Sequence, residues 1–197
     1  LLTFLWVSGA AHAHSWLDCT NMHSSGKCAG YSLGYPSREN PDINTLYTYR
    51  IEGRPVEAPI CQPGRQDILT APPSPNFPSA TIVAGQSLRL TWQANGHFND
   101  QNATYVHVHW SKVPAQEKIL RTRNELLPEN RLASMPFATT GNCDQPSNPN
   151  TVCRGRVKIP AGTRPGRYQL VWWWPFDQNP VGEEYTSCFE VTVKERT

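Results

Sequence analysis

The stretch YQLVWWW, residues 168–174, decides the fold class of this chain. Its apolar and polar residues fit the period of two of a β-strand, in which successive side chains point to opposite faces of a sheet. The three tryptophans therefore alternate between faces, and at least one pair is expected in a core. The same period occurs in LRLTW (88–92), YVHVHW (105–110), 156–159 and 189–193, and more weakly in 45–51.

The segments between these strands are long and irregular. Prolines crowd residues 54–78, and residues 141–154 form a polar stretch. Residues 117–127 could hold one short helix. Many short strands separated by turn signals predict an all-β chain, an antiparallel β-sandwich with long loops, in one domain.

The N-terminal residues predict a cleaved leader. The apolar run LLTFLWV (1–7) is followed by the small residues SGAAHA (8–13), which are typical of the end of a secretory signal peptide. We therefore interpret residues 1–13 as a signal peptide truncated at its start, and residues 14–197 as one mature domain. Cleavage after Ala13 would make His14 the first residue, with its α-amine and imidazole both available to a metal.

Charge and cysteine content narrow the compartment and the partners. The net charge of +2 is too small to indicate nucleic acid, and no apolar run approaches the ~20 residues that span a bilayer. We expect no nucleic-acid or membrane partner and a secreted monomer. Six cysteines behind a leader predict disulfides in an oxidising compartment. Asn102 begins an N-glycosylation sequon.

Six cysteines allow 15 connectivities, and the sequence alone does not choose among them. The preferred set joins near neighbours and ties the middle of the chain to the last strand. It consists of the pairs Cys19–Cys28, Cys61–Cys188 and Cys143–Cys153.

The histidines point to a metal. An N-terminal His14 needs a second imidazole held rigidly nearby, and amine and imidazole nitrogens suit Cu(II). His97 is the best candidate, because it follows a strand in the glycine-containing turn NGHFN (95–99). The alternative is that His97 is an ordinary polar turn residue.

The other histidines have several interpretations. His107 and His109 lie at i and i+2 of one strand and point the same way. They could form a polar outer strand face, one could support a metal site or contact substrate, or both could bind a separate zinc ion with a third ligand. Of the two, His109 is the candidate for supporting the metal site or the catalysis. His23 is expected in a surface loop.

Three features together resemble a known family. The leader ending before HSW (14–16), the GHFN turn (96–99) and the last strand EEYTSCFEVTV (183–193) look like a copper-dependent lytic polysaccharide monooxygenase. The resemblance implies an immunoglobulin- or fibronectin-III-like antiparallel β-sandwich and one copper ion in a histidine brace of His14, with its α-amine, and His97. It makes Tyr185 the axial residue and Cys188 a partner in a disulfide to mid-chain.

One position departs from the pattern of the cellulose-active families. Glu183 stands where those families carry a glutamine two residues before the axial tyrosine. In an extended strand Glu183 and Tyr185 face the same way, so a carboxylate could take over the hydrogen-bonding role. The alternative is that Glu183 is a solvated acid at the end of a loop.

The substrate follows from a narrower resemblance. GYSLGYPSRENPDINTLYTYRIEG (30–53) and VWWWPFDQNP (171–180) look most like the oomycete group that oxidises pectic homogalacturonan, with cellulose, other hemicelluloses and chitin left open. Tyr31, Tyr35 and Arg38 are candidate substrate contacts, since rings stack on sugars and arginine pairs with a uronate. The alternative is that the tyrosines pack under their loop.

The activity implied is oxidative cleavage of glycosidic bonds, with an external electron donor and O2 or hydrogen peroxide. Two alternatives remain. One is a non-catalytic secreted copper-binding protein of the same fold, with Glu183 or Asp100 as an added ligand. The other is a metal-free carbohydrate-binding β-sandwich.

Overall fold

Two β-sheets stack face to face in the computed structural model, which describes residues 14–71, 74–176 and 178–195. The proposed signal peptide lies outside these residues. The strands are β1 (Leu17–Cys19), β2 (Tyr49–Glu52), β3 (Ala80–Val83), β4 (Ser87–Gln93), β5 (Tyr105–Trp110), β6 (Arg131–Pro136), β7 (Val152–Lys158), β8 (Gly166–Phe176) and β9 (Glu183–Lys194). Short 3-10 helices span Pro41–Asn44, Arg123–Glu125 and Pro128–Asn130.

The small sheet has the order β1-β4-β7, and the large sheet has the order β2-β9-β8-β5-β6. Neighbouring strands in both are antiparallel, except that β3 pairs with β9 in parallel. β9 is long enough to pair with β2 through its first half and with β3 through its second. The predicted antiparallel β-sandwich is confirmed.

The core lies between the sheets and is built on tryptophans. Trp172 and Trp174 of β8 are fully buried, as is Trp92 of the small sheet. The Trp92 and Trp172 ring centroids lie 6.0 Å apart, and the Trp92 indole N–H donates to the Phe137 carbonyl at 2.7 Å. This bond satisfies a polar group that burial would otherwise penalise. The expectation of a core pair among the three tryptophans is confirmed.

The outer face of the large sheet is also covered. Ile60, Leu120 and Leu126 come from the long loops and pack over Val171 and Trp173. The Cys61–Cys188 disulfide fastens one of these loops to β9. The proline-rich stretch therefore contributes Ile60 and Cys61 to the cover of a second, smaller core.

All three preferred disulfides are confirmed: Cys19–Cys28, Cys61–Cys188 and Cys143–Cys153. Together they indicate an oxidising compartment. No helix within the described ranges is long and apolar enough to span a membrane.

The secondary structure differs from expectation in two places. Residues 117–127 hold only the 3-10 helix Arg123–Glu125, which Thr122 and Glu125 cap. Strands β1, β3 and β6 were not predicted. β1 and β3 are only three and four residues long, and β6 has the polar, proline-ended sequence RLASMP, so pairing rather than local pattern makes them strands.

Candidate metal centre

His97 sits at the end of a tight turn that follows β4. Asn95 and Gly96 both adopt left-handed backbone angles, with φ of 45° and 80°, and the His97 N–H donates to the Ala94 carbonyl at 2.9 Å. Two consecutive positive φ values define a turn that Asn-Gly forms more easily than other pairs. The local sequence therefore holds His97 in a fixed place at the end of the sandwich.

Asn95 also ties the N-terminal segment to this turn. Its side-chain amide donates to the His14 carbonyl at 2.6 Å. Three residues further on, the Leu17 N–H donates to the Ser187 hydroxyl of β9 at 3.1 Å. His14 is thus anchored beside the turn that carries His97, in an open hollow that also contains Asn44 and Pro149.

The His97 ring stands against aromatic side chains. Its centroid lies 4.8 Å from that of Phe176 and 5.2 Å from that of Trp174, both edge to face. Burial lowers the pKa of His97, and the negative charge of Glu183 opposes that shift. No described residue forms a hydrogen bond with the ring nitrogens. A neutral imidazole with an available lone pair is the form that binds a metal.

Glu183 and Tyr185 project from the same face of β9, as the strand period predicts. The Tyr185 hydroxyl donates to Glu183 Oε1, and the Asn179 amide donates to Oε2 at 2.8 Å. The Arg50 guanidinium lies 3.6 Å from Oε1. Burial alone would raise the pKa of Glu183, but these partners outweigh it and hold the pKa below its ordinary value.

The burial of Glu183 decides between its two interpretations. Only 6% of the residue is exposed, so it is not a solvated acid at a loop end. The Tyr185 ring is fully buried and stacks on Trp174 with centroids 5.4 Å apart. Trp174 therefore contacts both His97 and Tyr185, and it joins the two candidate residues through one ring.

The candidate substrate contacts in the N-terminal loop pack largely against other side chains of the protein. Tyr35 is buried, and its ring stacks on Tyr31 with centroids 5.1 Å apart. Burial, followed by the charge of Asp18, raises the pKa of Tyr35. The expectation that Tyr35 contacts substrate is thus replaced by the packing alternative, because its ring fills a small core with Trp16. Tyr31 is half-buried.

Arg38 is partly exposed but already has partners. Its guanidinium forms an ion pair with Asp18, donates to Gln93 at 2.8 Å and lies over the Trp16 ring. The side chain therefore bridges the N-terminal loop to the end of β4. A role for Arg38 in substrate binding stays a prediction.

His109 does not join this centre, which corrects the expectation that it supports the metal site. Trp173 and Trp174 point to opposite faces of the large sheet; His97 packs on Trp174, whereas His109 packs on Trp173 with centroids 5.6 Å apart. His109 is 1% exposed, so it is not part of a polar outer face either. Loops cover this side of the sheet, which the strand pattern alone could not show.

His107 is half-buried beside His109, with ring centroids 6.3 Å apart. The described residues supply no third His, Cys, Asp or Glu that would complete a metal site with them. The zinc interpretation is therefore not supported. His23 is exposed, as expected.

Two further candidates lie near the surface. Asn102 is exposed, and its glycosylation stays a prediction. Asp100 accepts hydrogen bonds from the Thr140 N–H at 2.8 Å and from its hydroxyl, so it braces a neighbouring loop.

Several residues of the centre were not anticipated. Asn95 anchors His14, Asn179 and Arg50 hold Glu183, and Phe176 packs on His97. The Asn-Gly pair directly before His97 was the one available signal. Asn179, Arg50 and Phe176 come close to the centre because of strand pairing between distant parts of the chain, which no local pattern shows.

The chemistry of His14 and His97 can be compared with what copper requires. Within the described ranges, no group of three or more His, Cys, Asp or Glu side chains lies close enough to hold a metal ion. The desolvated neutral His97 and the anchored His14 match the nitrogen ligands that Cu(II) prefers.

Comparisons with known proteins complete the description. No protein-family model matches the sequence, and no curated protein matches it. One similar solved structure is a chitin binding domain from Burkholderia pseudomallei, with a TM-score of 0.38, 15% identity, and coverage of 60% of this chain and 58% of that one. Another is a lytic polysaccharide monooxygenase important for efficient utilization of chitin in Cellvibrio japonicus. It has a TM-score of 0.47 and 15% identity, and the match covers 91% of this chain and 99% of that one. Neither likeness identifies what this chain binds or does.

Proposed function

We propose that this protein is a secreted copper monooxygenase that cleaves a polysaccharide oxidatively. The observation that carries the proposal is the hydrogen bond from the Asn95 side-chain amide to the His14 carbonyl, because Asn95 belongs to the turn that presents His97. The three disulfides support secretion.

Each residue of the centre has a part. After cleavage at Ala13, His14 would offer its amine and imidazole, and His97 a second imidazole, to one copper ion. When bound, copper supplies redox chemistry with an external reductant and O2 or hydrogen peroxide. Trp174 and Phe176 restrict water on one side of His97 and fix its orientation.

Tyr185 and Glu183 lie next to the ligands. Tyr185 would lie next to the copper ion, and its hydroxyl donates a hydrogen bond to Glu183. Asn179 and Arg50 stabilise the carboxylate form of Glu183, which would let this side chain accept and return a proton beside the proposed ligands.

The preferred substrate is homogalacturonan. Support comes from the sequence resemblance of residues 30–53 and 171–180, and from the exposed part of the Arg38 guanidinium near Gln93. A uronate carboxylate pairs well with an arginine fork.

The test uses secreted protein whose first residue is shown by N-terminal sequencing to be His14. It is incubated with copper, a reductant and hydrogen peroxide on homogalacturonan, cellulose or chitin, and products are read by mass spectrometry. Oxidised oligosaccharides are expected, and His97→Ala and a form that retains Ala13 should give none. If no polymer yields oxidised products, or if the control proteins yield as many, the proposal is wrong.

A second candidate is a copper-binding protein without oxidative activity. The buried carboxylate of Glu183, whose charge acts on His97, favours it, since such a group could add a ligand. An electron paramagnetic resonance spectrum that changes between wild type and Glu183→Gln, together with no oxidised products, would favour this candidate. A metal-free carbohydrate-binding protein would instead keep its polymer binding and take up no copper.

A further inference from the structure

A groove lies away from the candidate metal centre, on the outer face of the small sheet. It is an open groove of about 750 Å³. Three arginines line it: Arg89 of β4 and Arg154 and Arg156 of β7. All three are exposed, and His23 lies at the rim.

The pairing register puts two like charges directly opposite each other. Arg89 on β4 is the cross-strand partner of Arg156 on β7. Like charges in this position destabilise a sheet. Across the described ranges, neither side chain forms an ion pair or a side-chain hydrogen bond, whereas Arg154 pairs with Asp144. The guanidinium groups of Arg89 and Arg156 therefore have no internal counter-charge among the described residues and are available to an anionic ligand.

The walls of the groove are rigid. One wall is the loop closed by Cys19–Cys28, and its Met22 N–H donates to the Arg89 carbonyl at 2.8 Å. The opposite wall is the loop closed by Cys143–Cys153, and its Asn142 carbonyl accepts from the Arg154 N–H at 2.8 Å. Each wall is therefore covalently closed and hydrogen-bonded to a strand that carries an arginine, so little ordering is needed on binding.

The charges form a row that runs along the sheet. Arg154, Arg156 and Lys158 are exposed at alternate positions of β7, which corresponds to a spacing of roughly 7 Å. The row begins two residues after Val152, the partner of Gln93, and Gln93 immediately precedes the turn that presents His97. The groove thus leads away from the candidate metal centre, in a direction that an extended polymer could follow.

The lining selects among polymers. Among the described residues that form the groove, none is Trp, Tyr or Phe. Neutral sugars and nucleic-acid bases both rely on stacking against such rings, so a neutral polysaccharide or a single-stranded nucleic acid fits poorly. Guanidinium forks instead match carboxylates in a bidentate way.

We propose that this groove binds an acidic polysaccharide, with sugar carboxylates held by Arg89 and Arg156. The site is separate from the metal ligands and needs no copper. The inference rests on the proposed function only in taking the bound polymer to be the substrate, which the groove would hold while cleavage proceeds at the metal centre.

The test measures binding by metal-free protein in a chelating buffer at low salt. The probe is polygalacturonate, compared with fully methyl-esterified pectin, a double-stranded DNA of equal charge concentration and anionic phospholipid vesicles. The variant is Arg89→Gln/Arg156→Gln. The matched control is Lys118→Gln/Arg121→Gln, which removes the same charge from exposed positions outside the groove.

We expect the groove variant to bind polygalacturonate at least tenfold more weakly and the control to stay within twofold of wild type. The methyl ester should bind at least tenfold more weakly than the free acid, and 0.5 M salt should weaken binding strongly. The groove variant should melt no lower than wild type, since a repulsion is removed.

Three results would overturn the proposal. The groove variant could bind as wild type does, both variants could lose affinity equally, or DNA or vesicles could bind more tightly than polygalacturonate. Failure of the oxidation assay is distinguishable, because arginine-dependent binding without oxidised products removes the proposed function and keeps the site. If oxidised products form but the groove variant binds polygalacturonate as wild type does, the proposed function is kept and the binding site is rejected.

Discussion

The hydroxyl of Tyr185 donates a hydrogen bond to the carboxylate of Glu183, two residues earlier on the same face of β9. Both residues are buried, and Trp174 stacks on the tyrosine ring. The pair therefore links the candidate metal centre to the core of the large sheet.

Replacing Tyr185 by Phe removes the hydroxyl and leaves the ring. We expect the free energy of unfolding at pH 7 to fall by about 1–3 kcal/mol, because a buried carboxylate loses one donor. Urea denaturation of metal-free protein measures this change. Tyr31→Phe is the control, since that ring is only half-buried; an equal loss in both variants would contradict the argument.

The variant Asn95→Gly tests the hydrogen bond to His14 independently of the turn. Glycine accepts the left-handed backbone that Asn95 adopts, so the turn should persist while the bond to the His14 carbonyl is lost. We expect Cu(II) affinity of processed protein to fall roughly 10–100-fold, the range for a group that orients a ligand. Isothermal titration gives the affinity, and unchanged copper binding would show that the anchor is dispensable.

His109 makes stability depend on pH. Burial, followed by the charges of His107 and Arg131, lowers the pKa of His109 to about 4, although contact with the Leu127 backbone opposes this. The unfolded chain then binds more protons than the folded chain between the ordinary value of 6.5 and about 4. The free energy of unfolding should therefore fall as the pH drops through this window, by at most about 3 kcal/mol.

Variants that lack the titratable imidazole of His109 test whether this residue causes the pH dependence. His109→Phe and His109→Gln cannot take up this proton, so the slope of stability between pH 6.5 and 4 should flatten in both. His23→Gln should keep the wild-type slope, because His23 is exposed. A wild-type slope in the His109 variants would assign the acid sensitivity to other groups.

The disulfides should contribute unequally to the free energy of unfolding. Cys61–Cys188 closes a separation of 127 residues, and Cys143–Cys153 one of 10. From loop entropy, replacing each pair by alanine should cost about 5 and about 3 kcal/mol respectively. Thermal melts of the two double variants test the order. The reverse order would show that packing of the loop over Trp173 does not depend on the long-range bond.

Much of this fold follows from the sequence alone. The alternation in residues 168–174 determines strand β8 and the burial of Trp172 and Trp174, because side chains in a strand must alternate. The Asn95-Gly96 pair determines the turn that presents His97, because few other pairs accept two positive φ values. The shared face of Glu183 and Tyr185 likewise needs only the strand period.

Only the tertiary structure decided what covers each face and which strands meet. Tyr35 and His109 look polar or accessible in the sequence, yet a small aromatic core and the loops over the large sheet bury them. Arg89 and Arg156 become neighbours through the register of β4 and β7. Local patterns state which way a side chain points from its own strand, but pairing between distant strands depends on the energy of the whole packed molecule.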